Sequence, residues 1–277
     1  MVSGTSNQQA GFIEVEGVGF AYGEPGSERR VEALKDVSFQ VGEKQFVSII
    51  GPSGCGKSTL LKLVSGLLPP TSGAIRVMEG TPDEARQRQA FGFVFQSPVL
   101  LPWRSALANV ALLLELRGLP VADHLESARR YLRLVGLEGF ENHRPGELSG
   151  GMQQRVSLAR ALSLDPSILL MDEPFGALDA ITRDRMAFEL LSIWKKSRKT
   201  VIFVTHSVSE AVLLSDKVFV LTARPGRVQA SYSIDLPRPR TSETRLTPQF
   251  VEYTRHLLRD LERQAATGSR QGEGRAI

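Results

Sequence analysis

A glycine-rich segment of the chain contains the residue types that bind phosphate groups. An apolar run over 45–50 precedes it, and a helical pattern over 57–68 follows it. The segment, which matches G-x-x-x-x-G-K-[ST], consists of Gly51, Pro52, Ser53, Gly54, Cys55, Gly56, Lys57, Ser58 and Thr59. Glycines let backbone N–H groups turn toward phosphate oxygens, and a helix N-terminus adds a positive dipole end. Lys57 offers a charge to the β- and γ-phosphates, and Ser58 offers a hydroxyl to Mg²⁺. The segment therefore predicts a site for a nucleoside triphosphate with Mg²⁺.

Two adjacent carboxylates follow a second apolar run, at 168–171. They are Asp172 and Glu173, and Pro174 comes directly after them. Adjacent carboxylates at the end of a buried strand are costly unless a cation or a reaction uses them. Asp172 is predicted to hold Mg²⁺ through water, and Glu173 to polarise the attacking water as a general base. Taken alone, the segment also fits a strand that runs out into an acidic turn.

The composition is that of a globular chain able to bury a core. Of its 277 residues, 42% are hydrophobic and 23% are charged. The apolar run at 110–114 is far shorter than the roughly 20 residues that a membrane-spanning helix needs. No basic residue precedes Arg29, so a secretory signal is not expected. The single cysteine, Cys55, excludes an internal disulfide and argues against a cysteine-based zinc site.

The positive charge is concentrated near the C-terminus. The chain has 34 Lys and Arg against 30 Asp and Glu. Residues 224–277 contain ten Arg and six Asp or Glu, which leaves residues 1–223 net neutral. In a nucleic-acid-binding protein the excess positive charge would lie on the main domain, which is net neutral here. No nucleic acid partner is therefore expected.

Apolar and β-branched runs alternate with helical patterns along the chain. Strands are predicted over 12–22, 37–50, 91–95, 168–171 and 201–205. Such alternation favours an α/β fold with a parallel sheet covered on both faces. Helical spacing between about 97 and 164 interrupts the strands, which predicts an inserted helical subdomain.

The ends of the chain differ in composition from its centre. We predict a disordered N-terminus over 1–10, a main nucleotide-binding domain over 11–235, and a C-terminal linker, helix and tail over 236–277. One apolar face of the last helix, predicted to pack on the main domain, consists of Phe250, Tyr253, Leu257, Leu258 and Leu261. Disorder is predicted for 265–277.

A third motif narrows the class of phosphate-loop protein. The sequence Leu-Ser-Gly-Gly-Met-Gln-Gln-Arg at 148–155 precedes a predicted helix that ends near Leu164. Locally it predicts an ordinary helix start with Ser149 as N-cap. It also resembles the signature motif of ABC ATPases, although many members carry Gln where this chain has Met152. The whole span 12–228 resembles an ABC-type nucleotide-binding subunit, with each motif in the family order.

This resemblance implies roles for residues that alone would carry little weight. Tyr22 occupies the position of the aromatic that stacks on adenine. Gln96 resembles the glutamine that contacts Mg²⁺ or the lytic water, and Asp179 ends a segment that crosses the dimer interface. His206 resembles the histidine that contacts the γ-phosphate; without the resemblance it fits a structural histidine equally well. The phosphate-facing residues that complete the site of the opposite subunit are Ser149, Gly150 and Gly151.

The resemblance also implies an architecture, a cofactor set and partners. The expected fold is an ABC-type P-loop NTPase with a mainly parallel sheet core, an antiparallel β subdomain and an inserted helical subdomain. The implied ligands are ATP and Mg²⁺, held between two copies of the chain. The implied partners are an integral membrane permease, docked at 96–104, and indirectly a substrate-binding protein. The expected location is the cytoplasmic face of the inner (plasma) membrane, as a peripheral subunit.

Three stretches, at 101–110, 171–180 and 221–228, resemble the ATPases of nitrate, sulfonate and taurine importers.

Other classes of protein remain as alternatives. A soluble ABC ATPase acting on DNA or ribosomes often has two cassettes, coiled coils or zinc modules. A GTPase or small-molecule kinase would lack the signature, and the guanine motif Asn-Lys-x-Asp does not occur here. A non-catalytic module is disfavoured by Glu173 and His206.

Overall fold

A computed structural model of the chain describes residues 11–24, 26–27, 29–118 and 120–272, with side chains described as far as 263. The strands are β1 (Ile13–Tyr22), β2 (Val31–Val41), β3 (Phe46–Ile50), β4 (Ser72–Val77), β5 (Phe91–Val94), β6 (Ile168–Asp172), β7 (Thr200–Val204), β8 (Lys217–Leu221) and β9 (Val228–Ser233). The helices are α1 (Lys57–Val64), α2 (Pro82–Gln87), α3 (Ala106–Leu116), α4 (Val121–Leu134), α5 (Gly150–Leu162), α6 (Ala180–Ser197), α7 (Val208–Leu214) and α8 (Pro248–Gly272). The predicted disorder at 1–10 and 273–277 lies outside the described residues.

The central sheet brings the predicted motifs to one edge. Its strand order is β5-β6-β7-β3-β8-β9, and all pairs are parallel except β8 with β9. Strands β3 and β7 are buried at every residue, as expected for a parallel sheet covered on both faces. The phosphate loop follows β3, Glu173 follows β6, and His206 follows β7. Because these strands are neighbours, their carboxyl ends place the three loops side by side. The predicted α/β architecture is confirmed.

A second sheet is antiparallel, with the order β2-β1-β4. The predicted strand over 37–50 is in fact two strands, since β2 ends at Val41 and β3 begins at Phe46. The turn between them is closed by the Gly42 N–H, which donates to Oε1 of Gln45 at 2.8 Å. The short elements β4 and α2 were not predicted.

Helices α3, α4 and α5 lie between β5 and β6 in the chain, where an inserted helical subdomain is predicted. Ser105 caps α3, and Ser149 caps α5 by accepting the Met152 N–H. Helix α1 is shorter than the pattern at 57–68 suggests. Gly66 adopts a left-handed φ of +70°, and the Leu67 N–H then bonds the Lys62 carbonyl, so the helix ends at Val64 before Pro69 is reached.

The last helix packs on the main domain along part of its predicted face. Phe250 and Leu257 are buried in the core, and Tyr253 and Leu261 pack against it. Leu258 is 44% exposed, so its inclusion in that face is wrong. The helix continues to Gly272, into the stretch for which the composition predicts disorder. No helix among the described residues is both long and apolar enough to cross a membrane.

Candidate active site

The phosphate loop encloses a small cavity between β3 and α1. Gly54 and Gly56 have φ values of +74° and +102°, a region that favours glycine. A side chain at Gly56 would also place its Cβ 2.6 Å from Cδ2 of Leu34. The cavity has a volume of about 220 Å³ and is lined by Tyr22, Ala33, Ser53, Gly54, Gly56, Lys57, Ser58, Thr59, Glu173 and Arg224.

The Lys57 ammonium is held at the wall of this cavity. The side chain is only 6% exposed, and Nζ donates to the carbonyls of Gly51 at 2.9 Å and Pro52 at 3.1 Å. Nζ also lies 3.8 Å from Oε1 of Glu173. A buried ammonium bonded to backbone carbonyls, with its carboxylate neighbour 3.8 Å away, fits a role in binding phosphate oxygens.

Ser58 and Asp172 form a pair of hard oxygen donors. The Ser58 hydroxyl donates to Oδ1 of Asp172 at 2.9 Å. Burial raises the pKa of the Asp172 carboxyl, while the Ser58 hydroxyl opposes this and the neighbouring Glu173 adds to it. A cation between the two oxygens would relieve that burial cost. Hydroxyl and carboxylate oxygens are ligands that Mg²⁺ accepts, usually together with phosphate oxygens and water, so the donor set fits Mg²⁺.

Glu173 is directed into the cavity by a turn at the end of β6. Its φ is +46°, uncommon for a residue with a side chain, and its N–H donates to the Val204 carbonyl at 2.9 Å. Oε2 of Glu173 lies 3.4 Å from Nδ1 of His206. The carboxylate thus lies between an ammonium and an imidazole and forms part of the cavity lining.

Tyr22 lies at the open side of the cavity. Its hydroxyl is 3.0 Å from Oγ1 of Thr59, and its ring makes an edge contact with Phe20 at a centroid distance of 4.9 Å. The side chain remains 44% exposed. An anchored aromatic side chain that remains partly exposed fits stacking against a base.

Some predicted site residues lie outside this cavity. Gln96 is exposed and lies close beside Gly176, since a Cβ added to Gly176 would be 3.0 Å from Nε2 of Gln96. Gly51, Pro52 and Cys55 belong to the loop but do not line the cavity. The Cys55 side chain is 1% exposed, and burial raises the pKa of its thiol. Only the backbone of Cys55 is therefore placed to act in binding.

The signature residues line a separate cavity of about 350 Å³, which includes Ser149, Gly151 and Met152. A Cβ on Gly150 would lie 3.6 Å from Cδ2 of Leu178, so the start of α5 packs beside the segment that ends at Asp179. Asp179 caps α6: its Oδ1 accepts the N–H groups of Ile181 at 3.1 Å and Thr182 at 3.0 Å. None of these residues contributes to the phosphate-loop cavity of its own chain.

Several residues near the site were not found from the sequence. Arg224 lines the cavity, and its guanidinium donates to the Gly54 carbonyl. Gln154 on α5 donates to the Phe95 carbonyl at 3.1 Å, and Arg160 donates to the carbonyls of Pro98 and Val99 at 2.9 Å each. The only sequence signal for Arg224 was its place in the stretch 221–228.

The sheet topology, the phosphate loop and the paired carboxylates define a phosphate-loop nucleoside triphosphatase. A family model described as ABC transporter matches residues 34–176. The chain is 51% identical over 233 residues to an uncharacterised ABC transporter ATP-binding protein of Methanocaldococcus jannaschii, covering 84% of this chain and 85% of the relative. The chain belongs to the ABC transporter family, and it is an ATP-binding, ATP-hydrolysing subunit of a transporter.

Further relatives agree with this assignment. A taurine import ATP-binding protein of Burkholderia pseudomallei is 48% identical over 238 residues, covering 84% of this chain and 90% of the relative. Among solved structures, a dimeric ATP-binding cassette in a post-hydrolysis state with ADP and Pi has 34% identity and a TM-score of 0.71, covering 81% of this chain and all of that chain. A transporter-complex subunit of Clostridium perfringens has 28% identity and a TM-score of 0.72, covering 81% and 89%.

Proposed function

We propose that this chain binds ATP with Mg²⁺, pairs with a second copy, and drives a separate membrane permease of an importer. One observation carries the catalytic part of the proposal. Lys57, Ser58 and Glu173 line one cavity at the carboxyl edge of the central sheet. Behind them, Asp172 accepts the Ser58 hydroxyl, and His206 lies 3.4 Å from Glu173.

The residues of the cavity divide the work of hydrolysis. Lys57 and backbone N–H groups of the loop bind the β- and γ-phosphates. Ser58 and Asp172 hold Mg²⁺, which when bound neutralises charge on those phosphates. Glu173 takes a proton from the water that attacks the γ-phosphorus, and the bond to the bridging oxygen breaks to leave ADP. His206, 3.4 Å from Glu173, orients that carboxylate.

The second copy is needed because the signature residues do not line the cavity of their own chain. In the proposed dimer, Ser149, Gly150 and Gly151 of each copy face the ATP held by the other. A two-fold pairing of this kind is isologous and gives two composite sites. The γ-phosphate links the copies, so hydrolysis removes a contact that keeps the dimer closed. The dimeric cassette among the structural relatives supports this arrangement.

The segment 96–104 is the proposed docking surface for the permease. Apolar side chains are exposed along it and beside it: Phe95 is 41% exposed, Val99 58% and Trp103 69%. Several exposed apolar residues within one short segment favour a protein partner. The hydrogen bonds from Gln154 and Arg160 tie the segment to the helix that begins at the signature. A push on the docking surface would therefore move the signature helix with it.

The proposed cargo is a small solute such as taurine, another sulfonate or nitrate. The similarity to taurine import ATP-binding proteins supports import and this cargo class. The cargo itself would be recognised by the permease and a substrate-binding protein, and the ATPase would lie at the inner face of the membrane. Uptake of labelled taurine by cells should be lost when Lys57→Ala replaces the native chain, and unchanged uptake would refute this cargo.

The catalytic proposal is tested with Glu173→Gln. The amide keeps the shape of the side chain but cannot accept the proton, and a lost general base typically costs 10²–10⁴-fold in rate, about 3–5 kcal/mol. ATP binding should persist, and light scattering should detect a dimer that needs ATP. Glu24→Gln, which changes an exposed carboxylate away from the cavity lining, is the matched control. Near-normal phosphate release by Glu173→Gln would refute the assignment.

A further inference from the structure

The loop between β8 and β9, residues 222–227, is fixed against the outside of the phosphate loop. The Thr222 hydroxyl bonds the carbonyls of Ala223 and Pro225, both at 3.0 Å, and accepts the Arg227 N–H. The Gly226 N–H donates to Ala33 at 2.9 Å, and the Lys35 N–H donates to Gly226 at 3.0 Å. These bonds join the 222–227 loop both to itself and to β2.

Gly226 makes the closest approach between the two loops. A Cβ at that position would lie 2.1 Å from the Cys55 carbonyl oxygen, so only glycine fits without displacing one of the loops. Cys55 and Gly54 are neighbours at the centre of the phosphate loop. The 222–227 loop therefore has a defined position relative to the atoms that surround a bound phosphate.

Arg224 projects from this loop to the rim of the cavity. Its Nε and Nη2 donate to the Gly54 carbonyl at 3.2 and 3.1 Å, although the two residues are 170 positions apart. The side chain lines the same cavity as Tyr22, Lys57 and Glu173. A guanidinium has five N–H donors, so the remaining donors are available to a ligand.

The charges around the cavity leave this guanidinium without a carboxylate partner. The cationic residues in its lining are Lys57 and Arg224, and the one carboxylate there is Glu173. Glu173 lies 3.8 Å from Lys57, whereas no carboxylate pairs with Arg224 in the part of the chain that the structure describes. A bound nucleoside triphosphate would bring several negative charges to this rim. Guanidinium groups bind phosphate oxygens through parallel N–H donors, so Arg224 is chemically suited to them.

We propose that Arg224 is a nucleotide-binding residue whose guanidinium binds the phosphate chain of the nucleotide. The hydrogen bonds to Gly54 set the direction of the guanidinium, and the 222–227 loop fixes its distance from the phosphate loop. This assignment rests on the proposed binding of ATP in the cavity. Arg224 would then be the second cationic side chain at the nucleotide besides Lys57, and it comes from outside the phosphate-loop motif.

The test compares two substitutions that differ in charge. Arg224→Lys and Arg224→Gln can each donate a hydrogen bond to the Gly54 carbonyl, but only lysine carries a charge. Binding of ATP-Mg²⁺, ADP-Mg²⁺ and adenosine to the full chain is measured by calorimetry. We expect Arg224→Gln to weaken ATP and ADP binding about tenfold, the effect of one lost charged hydrogen bond, with Arg224→Lys recovering part of it. Adenosine affinity should not change.

Arg227→Gln is the matched control, because Arg227 has the same charge, is exposed and does not line the cavity. Equal losses in Arg224→Gln and Arg224→Lys would overturn the proposal and leave Arg224 as a brace for Gly54. An unchanged ATP affinity in Arg224→Gln, or an equal loss in Arg227→Gln, would also overturn it. Absence of ATP binding by the unsubstituted chain would instead refute the proposed function.

Discussion

Arg183→Gln tests an ion pair that links the helix after Asp179 to the loop that carries His206. Arg183 lies on the first turn of α6, where Nη2 donates to the Leu178 carbonyl at 3.0 Å. Its Nε lies 3.8 Å from Oε1 of Glu210. Glu210, at the start of α7, accepts the Thr205 hydroxyl at 2.6 Å, directly before His206. Loss of Arg183 should destabilise the fold because a carboxylate would remain buried without its cation.

The magnitude follows from the exposure of the two side chains. At an effective dielectric constant of about 20, charges 3.8 Å apart attract by about 4 kcal/mol. Desolvation offsets much of this attraction, and removing one partner of a fully buried pair costs about 3–5 kcal/mol. Glu210 is 7% exposed but Arg183 is 28% exposed, so water screens one side of the pair. We therefore expect Arg183→Gln to lower the free energy of unfolding by about 1–3 kcal/mol.

The effect should depend on pH. Burial raises the pKa of Glu210 above its ordinary value of 4.5, while Thr205 and Arg183 oppose that rise. A carboxyl whose pKa is raised in the folded state is fully tolerated below its unfolded pKa, and stability falls as pH rises through the folded pKa. Without Arg183 the folded pKa moves further upward. The cost of Arg183→Gln should thus be smaller at pH 5 than at pH 7.5.

Urea unfolding at both pH values measures these free energies, and a double-mutant cycle isolates the pair. Glu210→Gln removes the buried charge, so adding it to Arg183→Gln should restore part of the lost stability. Arg185→Gln is the control, because Arg185 lies on the same helix, is 74% exposed and pairs with Glu189. The reasoning is refuted if Arg183→Gln costs no more than the control, or if the two substitutions in the pair are additive.

Three further predictions concern the C-terminal part and the phosphate loop. Burial and the hydrogen bond to Asp260 raise the pKa of Tyr232 to about 12, so stability should fall as pH rises from about 10 to 12. In Tyr232→Phe, thermal unfolding should lack this fall in stability with pH. A pH profile identical to that of the unsubstituted chain would contradict the prediction. Arg240, 6% exposed, donates to the carbonyls of Val212, Leu213, Ser215, Ile234 and Leu236. Arg240→Met should cost about 3 kcal/mol or more in urea unfolding, because buried carbonyls lose their donor; a loss below about 1 kcal/mol would argue against it. Cys55 is buried with a raised thiol pKa, so a maleimide should label it far more slowly in the folded chain than in urea. Fast labelling of the folded chain would show that the loop opens.

Local spacing was sufficient to predict the phosphate loop and the carboxylate pair. Few backbone conformations fit glycines, a lysine and a hydroxyl at fixed positions between an apolar run and a helix. Parallel strands then bring the loops that follow them to the same edge of the sheet. The short elements β4 and α2 escaped prediction because a few residues carry too little periodicity. Helix α1 ends at a glycine C-cap. The sequence pattern does not reveal this end, because the prolines that follow also predict a helix stop, a few residues later.

Contacts between distant residues were beyond sequence reasoning. Arg224 and Gly54 are 170 positions apart, and Arg183 and Glu210 meet only because α6 packs against α7. Side-chain direction was equally hidden: Cys55 lies in the phosphate loop, yet its thiol is buried away from the cavity. Periodicity predicts an apolar face of α8 that includes Leu258, but the way the helix packs on the core leaves Leu258 exposed.

The most direct test of the transport role is affinity purification of the tagged chain from detergent-solubilised native membranes, followed by mass spectrometry. The proposal predicts a polytopic permease with the native chain. It predicts loss of that permease with Trp103→Glu, which places a charge on the 69% exposed Trp103 of the proposed docking surface and should leave ATP binding intact. Recovery of DNA-repair or ribosomal factors with no membrane protein would contradict the transport role while leaving the ATPase site standing.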